Sequence, residues 1–211
     1  MRRARMERNA QEKLEEHIAM LKQCSACPNM VPPVVTHRPS VSKVYLVGQA
    51  PGPREGVLGR PFAWTAGKRM FQWFEQTGID EDTFRERAYM SAVCRCFPGK
   101  TKQGGDRVPT DEEIRNCSNW MKAEFEILHP ELVIPVGRLA IEQFLGSQPL
   151  AEVIGMQFER TIFDHHVDLI PLPHPSGTST WFQREPGRTL LQKALTLLSR
   201  HPHWIALKRS T

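Results

Sequence analysis

Long apolar runs are missing from this chain of 211 residues. No stretch approaches the roughly 20 uninterrupted apolar residues of a membrane-spanning helix, which excludes an integral helical membrane protein. The basic N-terminal segment "MRRARMERNAQEKLEEH" has no apolar centre, so it does not read as a secretory signal. A soluble, cytoplasmic protein is expected. Internal repeats and low-complexity tracts are absent, which excludes repeat and fibrous architectures. A long lysine or arginine run is lacking too, although the net charge is +5, the pI is near 9.1 and eight histidines add charge in mild acid. That balance suits a polyanionic partner such as nucleic acid, and equally an ordinary basic protein. The five cysteines, Cys24, Cys27, Cys94, Cys96 and Cys117, are odd in number and follow no signal, which argues against a disulfide framework. Thiols so spaced are metal ligands or a redox pair.

What the sequence does contain is strands that empty into loops. In "VYLVGQAPGPREGVLGRPF", Val44 to Phe62, a buried strand gives way to a Gly/Pro-rich loop. The loop has no lysine for a phosphate and no serine nucleophile, and its one acid is Glu55. Upstream, Leu14, Ile18 and Leu21 at helical spacing predict a surface helix over about Arg8–Lys22, leading into Cys24 and Cys27. "PNMVPPVVTHRPSVS" is an extended connector. Further strands are predicted at Ala88–Val93, Glu131–Gly137 and Val167–Pro175, with Phe158–Phe163 as an edge strand. Helices are predicted from Thr65 or Ala66 to Gln76, from a Thr110 cap with Glu113 in a capping box to about Leu128, after Gly137 through Phe144, and over Gly187–Arg200.

Alternating strands and helices predict an α/β fold, a three-layer α/β/α sandwich around a central, mostly parallel four-stranded sheet. One domain over residues 1–211 is expected, with residues 1–42 as an N-terminal helix and extension. In such sheets ligands bind beyond the carboxyl ends of the strands, so the loops after Val47, Val93, Val136 and Leu172 should converge.

Two of these loops carry chemistry: Gly48-Gln49-Ala50-Pro51-Gly52 continuing to Arg60-Pro61-Phe62, and Pro173-His174-Pro175-Ser176-Gly177. With "YMSAVCRCFP" and "CSNW", these segments resemble the uracil-DNA glycosylase superfamily, and within it family 4, the iron–sulfur branch, from about Cys24 to Pro175. The cysteines themselves suit a [4Fe–4S] cluster, or zinc with four thiolates. The resemblance implies the cluster, held by Cys24, Cys27, Cys96 and Cys117 and stapling the N-terminal extension to the sheet, with Cys94 spare or a substitute ligand.

The same resemblance implies a monofunctional glycosylase that flips uracil out of DNA, hydrolyses its N-glycosidic bond and leaves an abasic site. His174 would donate to the developing uracil oxyanion, and Phe62 would stack on the base. Gly48, Gln49 and Ala50 would present backbone N–H groups to the base, with Gln49 adding its amide. Two positions differ from the best-known branch, as is normal in family 4, and two differ from family 4 itself. Ala50 replaces the aspartate of the best-known branch and Gly52 its tyrosine, Gln49 replaces the glutamate usual in family 4, and Ala92 replaces the asparagine that reads the uracil edge. Glu55 is then the candidate for orienting water. Ser176, Gly177, Thr178, Ser179 and Arg184 would meet DNA containing uracil, and the wedge that fills the vacated stack would be Trp181, Phe182 or Arg184. A monomer is expected. Competing expectations are a glycosylase for hypoxanthine or xanthine, an enzyme that traps the abasic sugar covalently, and an iron–sulfur DNA-binding protein with an inactive pocket.

Overall fold

The computed structural model describes residues 2–177 and 179–209. Among them the central sheet holds β1 (Val44–Gly48), β2 (Tyr89–Ala92), β3 (Leu132–Pro135), β4 (Phe158–Ile162) and β5 (His165–Leu169), in the order β2-β1-β3-β5-β4. β1 runs parallel to β2 and β3, and β3 parallel to β5. The sheet has five strands where four were expected. The fifth, β4, pairs antiparallel with β5 through a tight hairpin whose corner residues, Phe163 (φ 47°) and Asp164 (φ 66°), take left-handed conformations.

Strand alternation divides the core between the two faces. Val44, Leu46, Met90, Leu132 and Ile134 face one side, which is covered by α3 (Thr65–Glu75), α4 (Glu81–Arg87), α8 (Gly187–Arg200) and α9 (Pro202–Lys208). Tyr45, Val47, Tyr89 and Val133 face the other, covered by α1 (Arg2–Leu21), α5 (Asp111–Leu128) and α6 (Arg138–Leu145). Leu14 and Ile18 on α1 meet Met121 and Phe125 on α5, which docks the N-terminal helix to the sandwich. The capping box on α5 forms as expected: Thr110 Oγ1 accepts from the Glu113 N–H, and Glu113 accepts from the Thr110 N–H.

Several short helices were not expected. α2 (Pro53–Leu58) sits inside the stretch read as loop. It starts on a proline, closes on Gly59 at φ 66°, and is too short to show an apolar period. α4 is capped by Asp80, which accepts from the Thr83 N–H at 2.7 Å. α7 (Leu150–Val153) is a single turn. α9 buries Trp204, whose indole N–H donates to Thr77 Oγ1 at 3.0 Å. No helix among the described residues is long and apolar enough to cross a membrane.

Candidate active site

The loops that follow β1, β2, β3 and β5 meet at one edge of the sheet, as the strand ends dictate. A cavity of about 420 Å³ opens there, and Gly48, Gln49, Ala50, Phe62, Ala92, His174 and Ser176 all line it. Glu55 lines it as well. An isolated parallel bridge between Val136 and Leu172 extends the pairing of β3 and β5 towards the cavity and sets up the turn that carries His174.

His174 packs closely on Gly137. A Cβ there would lie 3.0 Å from the imidazole, and the backbone at φ 87° favours glycine independently. The Ser176 N–H donates to His174 Nδ1 at 3.3 Å. Nδ1 is therefore the bare nitrogen and Nε2 carries the ring proton. Burial pulls the His174 pKa down, against a smaller upward pull from Asp106, so the ring is neutral at neutral pH.

Phe62 stands on the opposite wall, its ring over Gly48, where a Cβ would come within 2.7 Å of Cζ. Its φ of 51° is unusual for a residue with a side chain, and the neighbours that enforce it are visible. Arg85 on α4, buried against the Phe71 ring, donates to the carbonyls of Pro61 at 2.9 Å and Phe62 at 2.8 Å. Gly67 on α3 lets that same carbonyl approach. Arg85 was invisible to sequence reasoning because α4 itself was missed; Asp80, three residues ahead of Thr83, was the available signal.

Below the cavity floor lies a buried polar cluster. Glu124 on α5 accepts from both guanidinium nitrogens of Arg95 (2.9 and 2.7 Å), from the Tyr89 hydroxyl (2.9 Å), from Ser91 (3.2 Å) and, closer still, from the Tyr45 hydroxyl. These are the chain's two tyrosines. His17 of α1 reaches to 3.4 Å from the same carboxylate. Burial alone would raise the Glu124 pKa, but Arg95 and the surrounding donors hold it at about 2. Ser91 is thus committed to this cluster, although it also lines the cavity.

Arg95 lies between Cys94 and Cys96, and its carbonyl accepts from the Val35 N–H, while Val31 and Phe97 exchange backbone hydrogen bonds. The N-terminal extension is thereby stitched beside the cysteines. Burial, then the neighbouring thiols of Cys117, Cys24 and Cys27, push the Cys96 thiol up to about 11, which places these four sulfurs in one neighbourhood. Cys94 shares a hydrogen bond with Cys117 that holds the Cys94 thiol high and the Cys117 thiol low. Among the described residues no three Cys, His, Asp or Glu side chains are gathered as a single metal ion would need. Four thiols are the donor set that a thiolate-bound metal centre takes.

The Pro173–Gly177 turn is held by Arg69 of α3, which donates to the Pro175 carbonyl at 3.2 Å. Gly177 and Arg184 are exposed, and Ser179 is half-buried with its N–H on the Ser176 carbonyl. Thr178 lies outside the described residues. Two expected wedge residues are spent on the core instead. Phe182 is buried against Trp73 at 5.1 Å, and Trp181 packs on the same cluster, because the turn from Trp181 to Gln183 folds in under α8. The large apolar side chain exposed in the cavity lining is Trp64, whose ring lies 5.2 Å from the Arg54 guanidinium, and Val57 and Leu58 on α2 are exposed as well.

A family model described as Uracil DNA glycosylase superfamily matches residues 36–205. The chain belongs to that superfamily. It is 30% identical over 134 residues to a Type-4 uracil-DNA glycosylase of Thermotoga maritima, a match covering 62% of this chain and 65% of that protein. It is 26% identical over 177 residues to a Type-4 uracil-DNA glycosylase of Archaeoglobus fulgidus, covering 79% and 83%. A Type-5 uracil-DNA glycosylase of Pyrobaculum aerophilum is 27% identical over 157 residues, covering 66% and 64%. The superfamily match spans the pocket walls from the first loop to the His174 turn.

Proposed function

We propose that this protein is a monofunctional uracil-DNA glycosylase. The observation that carries the proposal is the pairing of a neutral His174, its Nε2–H left to donate, with Phe62 across a pocket wide enough for a base. Breaking the bond between the sugar and uracil N1 sends the bonding pair to the base, and the charge gathers on its carbonyl oxygens. The Nε2–H of His174 stabilises that charge by hydrogen bonding without giving up its proton. Phe62 stacks on the flipped ring, and the backbone of Gly48, Gln49 and Ala50 shapes the slot. Abasic DNA is the product.

Ala92 supports a second reading. It sits on the cavity wall with a methyl group where an amide would read the base edge, which favours a broader choice among deaminated bases, hypoxanthine or xanthine included. Gln49, the amide-bearing residue of the same wall, is the group that would restore discrimination.

Cys24, Cys27, Cys96 and Cys117 would hold a [4Fe–4S] cluster. When bound, such a group supplies folding free energy by tying the extension, β2 and α5 together. DNA would lie across the mouth, with Ser176, Gly177, Ser179 and Arg184 on one side and α2 with Trp64 on the other. Trp64, Val57 and Leu58 take over the stacking role that Trp181 and Phe182 cannot fill.

Single-stranded and duplex oligonucleotides carrying uracil, treated with the protein and then alkali, test the proposal. Strand scission at the uracil is expected. Uncut oligonucleotide at stoichiometric protein would refute it and favour a non-catalytic DNA-binding protein.

A further inference from the structure

Hydrolysis needs a water aimed at the sugar, a role for which the sequence offered Glu55. The pocket contains two carboxylates, Glu55 and Asp106, and they approach the same point. A Cβ on Gly52 would meet Glu55 Oε2 at 2.9 Å and Asp106 Oδ2 at 3.7 Å. Gly52 has φ −84°, which any residue adopts, so what a side chain there would meet is the carboxylate ends of Glu55 and Asp106 and no backbone strain. A gap is kept open between two acids.

The two acids are not equivalent. Glu55 is buried, and its Oε2 already accepts from the Gly52 N–H at 3.2 Å, closing the cap of α2. Asp106 hangs from the loop joining β2 to α5. Its Oδ1 is paired with Lys100 Nζ at 2.5 Å, across an antiparallel bridge between the same two residues. Next in the chain, Arg107 is clamped to both oxygens of Glu113 (2.7 and 2.6 Å) and donates to the Asn29 carbonyl. That clamp fixes the loop, leaving Asp106 Oδ2 turned to the gap over Gly52. The carboxylate is also near enough to His174 to oppose the effect of burial on that ring.

We propose that Asp106 is a catalytic residue that holds the attacking water in the gap over Gly52. This rests on the glycosylase function proposed above. As the C1′–N1 bond breaks, its electron pair leaves with uracil, whose charge His174 holds. The water oxygen bonds to C1′, and the water proton passes to Asp106 and on to solvent. The abasic sugar gains a C1′ hydroxyl, and the uracil anion is protonated by solvent after release. A carboxylate at Asp106 also favours the cationic sugar before the water attacks.

Single-turnover excision from a uracil-containing single strand tests this in wild type, Asp106→Asn, Asp106→Glu, Glu55→Gln and Gly52→Ala. Binding to an oligonucleotide with non-hydrolysable 2′-fluoro-deoxyuridine is measured alongside. Asp106→Asn should lose about 100-fold or more in rate with analogue affinity kept within about threefold. Asp106→Glu should restore part of the rate. Gly52→Ala, whose Cβ fills the gap against movable carboxylate ends, should lose rate while Asp106 is intact. An active wild type with Asp106→Asn equally active, or with the loss falling on Glu55→Gln instead, overturns the role of Asp106 alone. A wild type that releases no base overturns the glycosylase function and this role with it.

Discussion

The backbone N–H of Ser176 donates to Nδ1 of His174 at 3.3 Å, and this one contact fixes which ring nitrogen can donate into the pocket. With Nδ1 occupied as an acceptor, Nε2–H is the donor available to a uracil oxygen. His174→Ala should therefore lower single-turnover excision by about 100- to 1,000-fold, the usual cost of one oxyanion donor. Because burial lowers the His174 pKa, the donor stays neutral through pH 7, and its protonation affects the rate only below the ordinary histidine range. A melting temperature near that of wild type would show that the loss is chemical.

Phe62 is held by a residue that never touches the base. Arg85 bonds the carbonyls of Pro61 and Phe62, on either side of the Phe62 Cα, so Arg85→Leu should free the ring. Gly48→Ala attacks the same ring directly, since its Cβ would sit 2.7 Å from Cζ. Both variants, like Phe62→Ala, should weaken binding of the base by about 1–3 kcal/mol, the worth of one aromatic stack. Titration with an uncleavable uracil analogue measures it.

Much of this was legible in advance, for identifiable reasons. The strand at Val44–Gly48 is apolar on both faces, so a buried strand there follows from sequence. His174 and Phe62 come at strand and loop ends with Gly and Pro around them, and both line the cavity. Asp106 was not legible: it lies among exposed polar residues, and only the Lys100–Asp106 bridge and the Arg107 clamp bring it to Gly52. Two of the three candidate wedge residues, Trp181 and Phe182, pack into the core instead, because "TWFQR" looks like an exposed aromatic loop while Gly187 lets Trp181 tuck beneath α8. Short helices such as α2 and α4 hide because six or seven residues barely cover two turns.

Stability should fall in two acid steps. His37 is buried against Tyr89, and burial, aided by Arg85 and Arg38, lowers its pKa to about 4. The unfolded chain takes up this proton as pH drops below about 6.5 and the folded chain only near 4, so stability present above 6.5 is lost across that window. The loss is about 3 kcal/mol, and His37→Gln should flatten it. Glu124, held at about 2 by Arg95, adds a second loss as pH falls from about 4.5 towards 2. Denaturant unfolding at stepped pH resolves both.

The cysteines make a separate prediction. Protein purified without oxygen should be brown, and Cys24→Ser, Cys27→Ser and Cys117→Ser should each lose colour and melt at lower temperature. Cys96→Ser should do the same while Cys94→Ser keeps the colour. The reverse pattern would make Cys94 the ligand, through its contact with Cys117. Iron and sulfide analysis checks each variant.

The most direct measurement is base release from matched oligonucleotides carrying uracil, hypoxanthine, xanthine or a thymine mismatch, with His174→Ala beside wild type. Release of uracil by wild type, with loss of about 100-fold or more in the variant, is the predicted result. No release of any base, or full activity in His174→Ala, would contradict it.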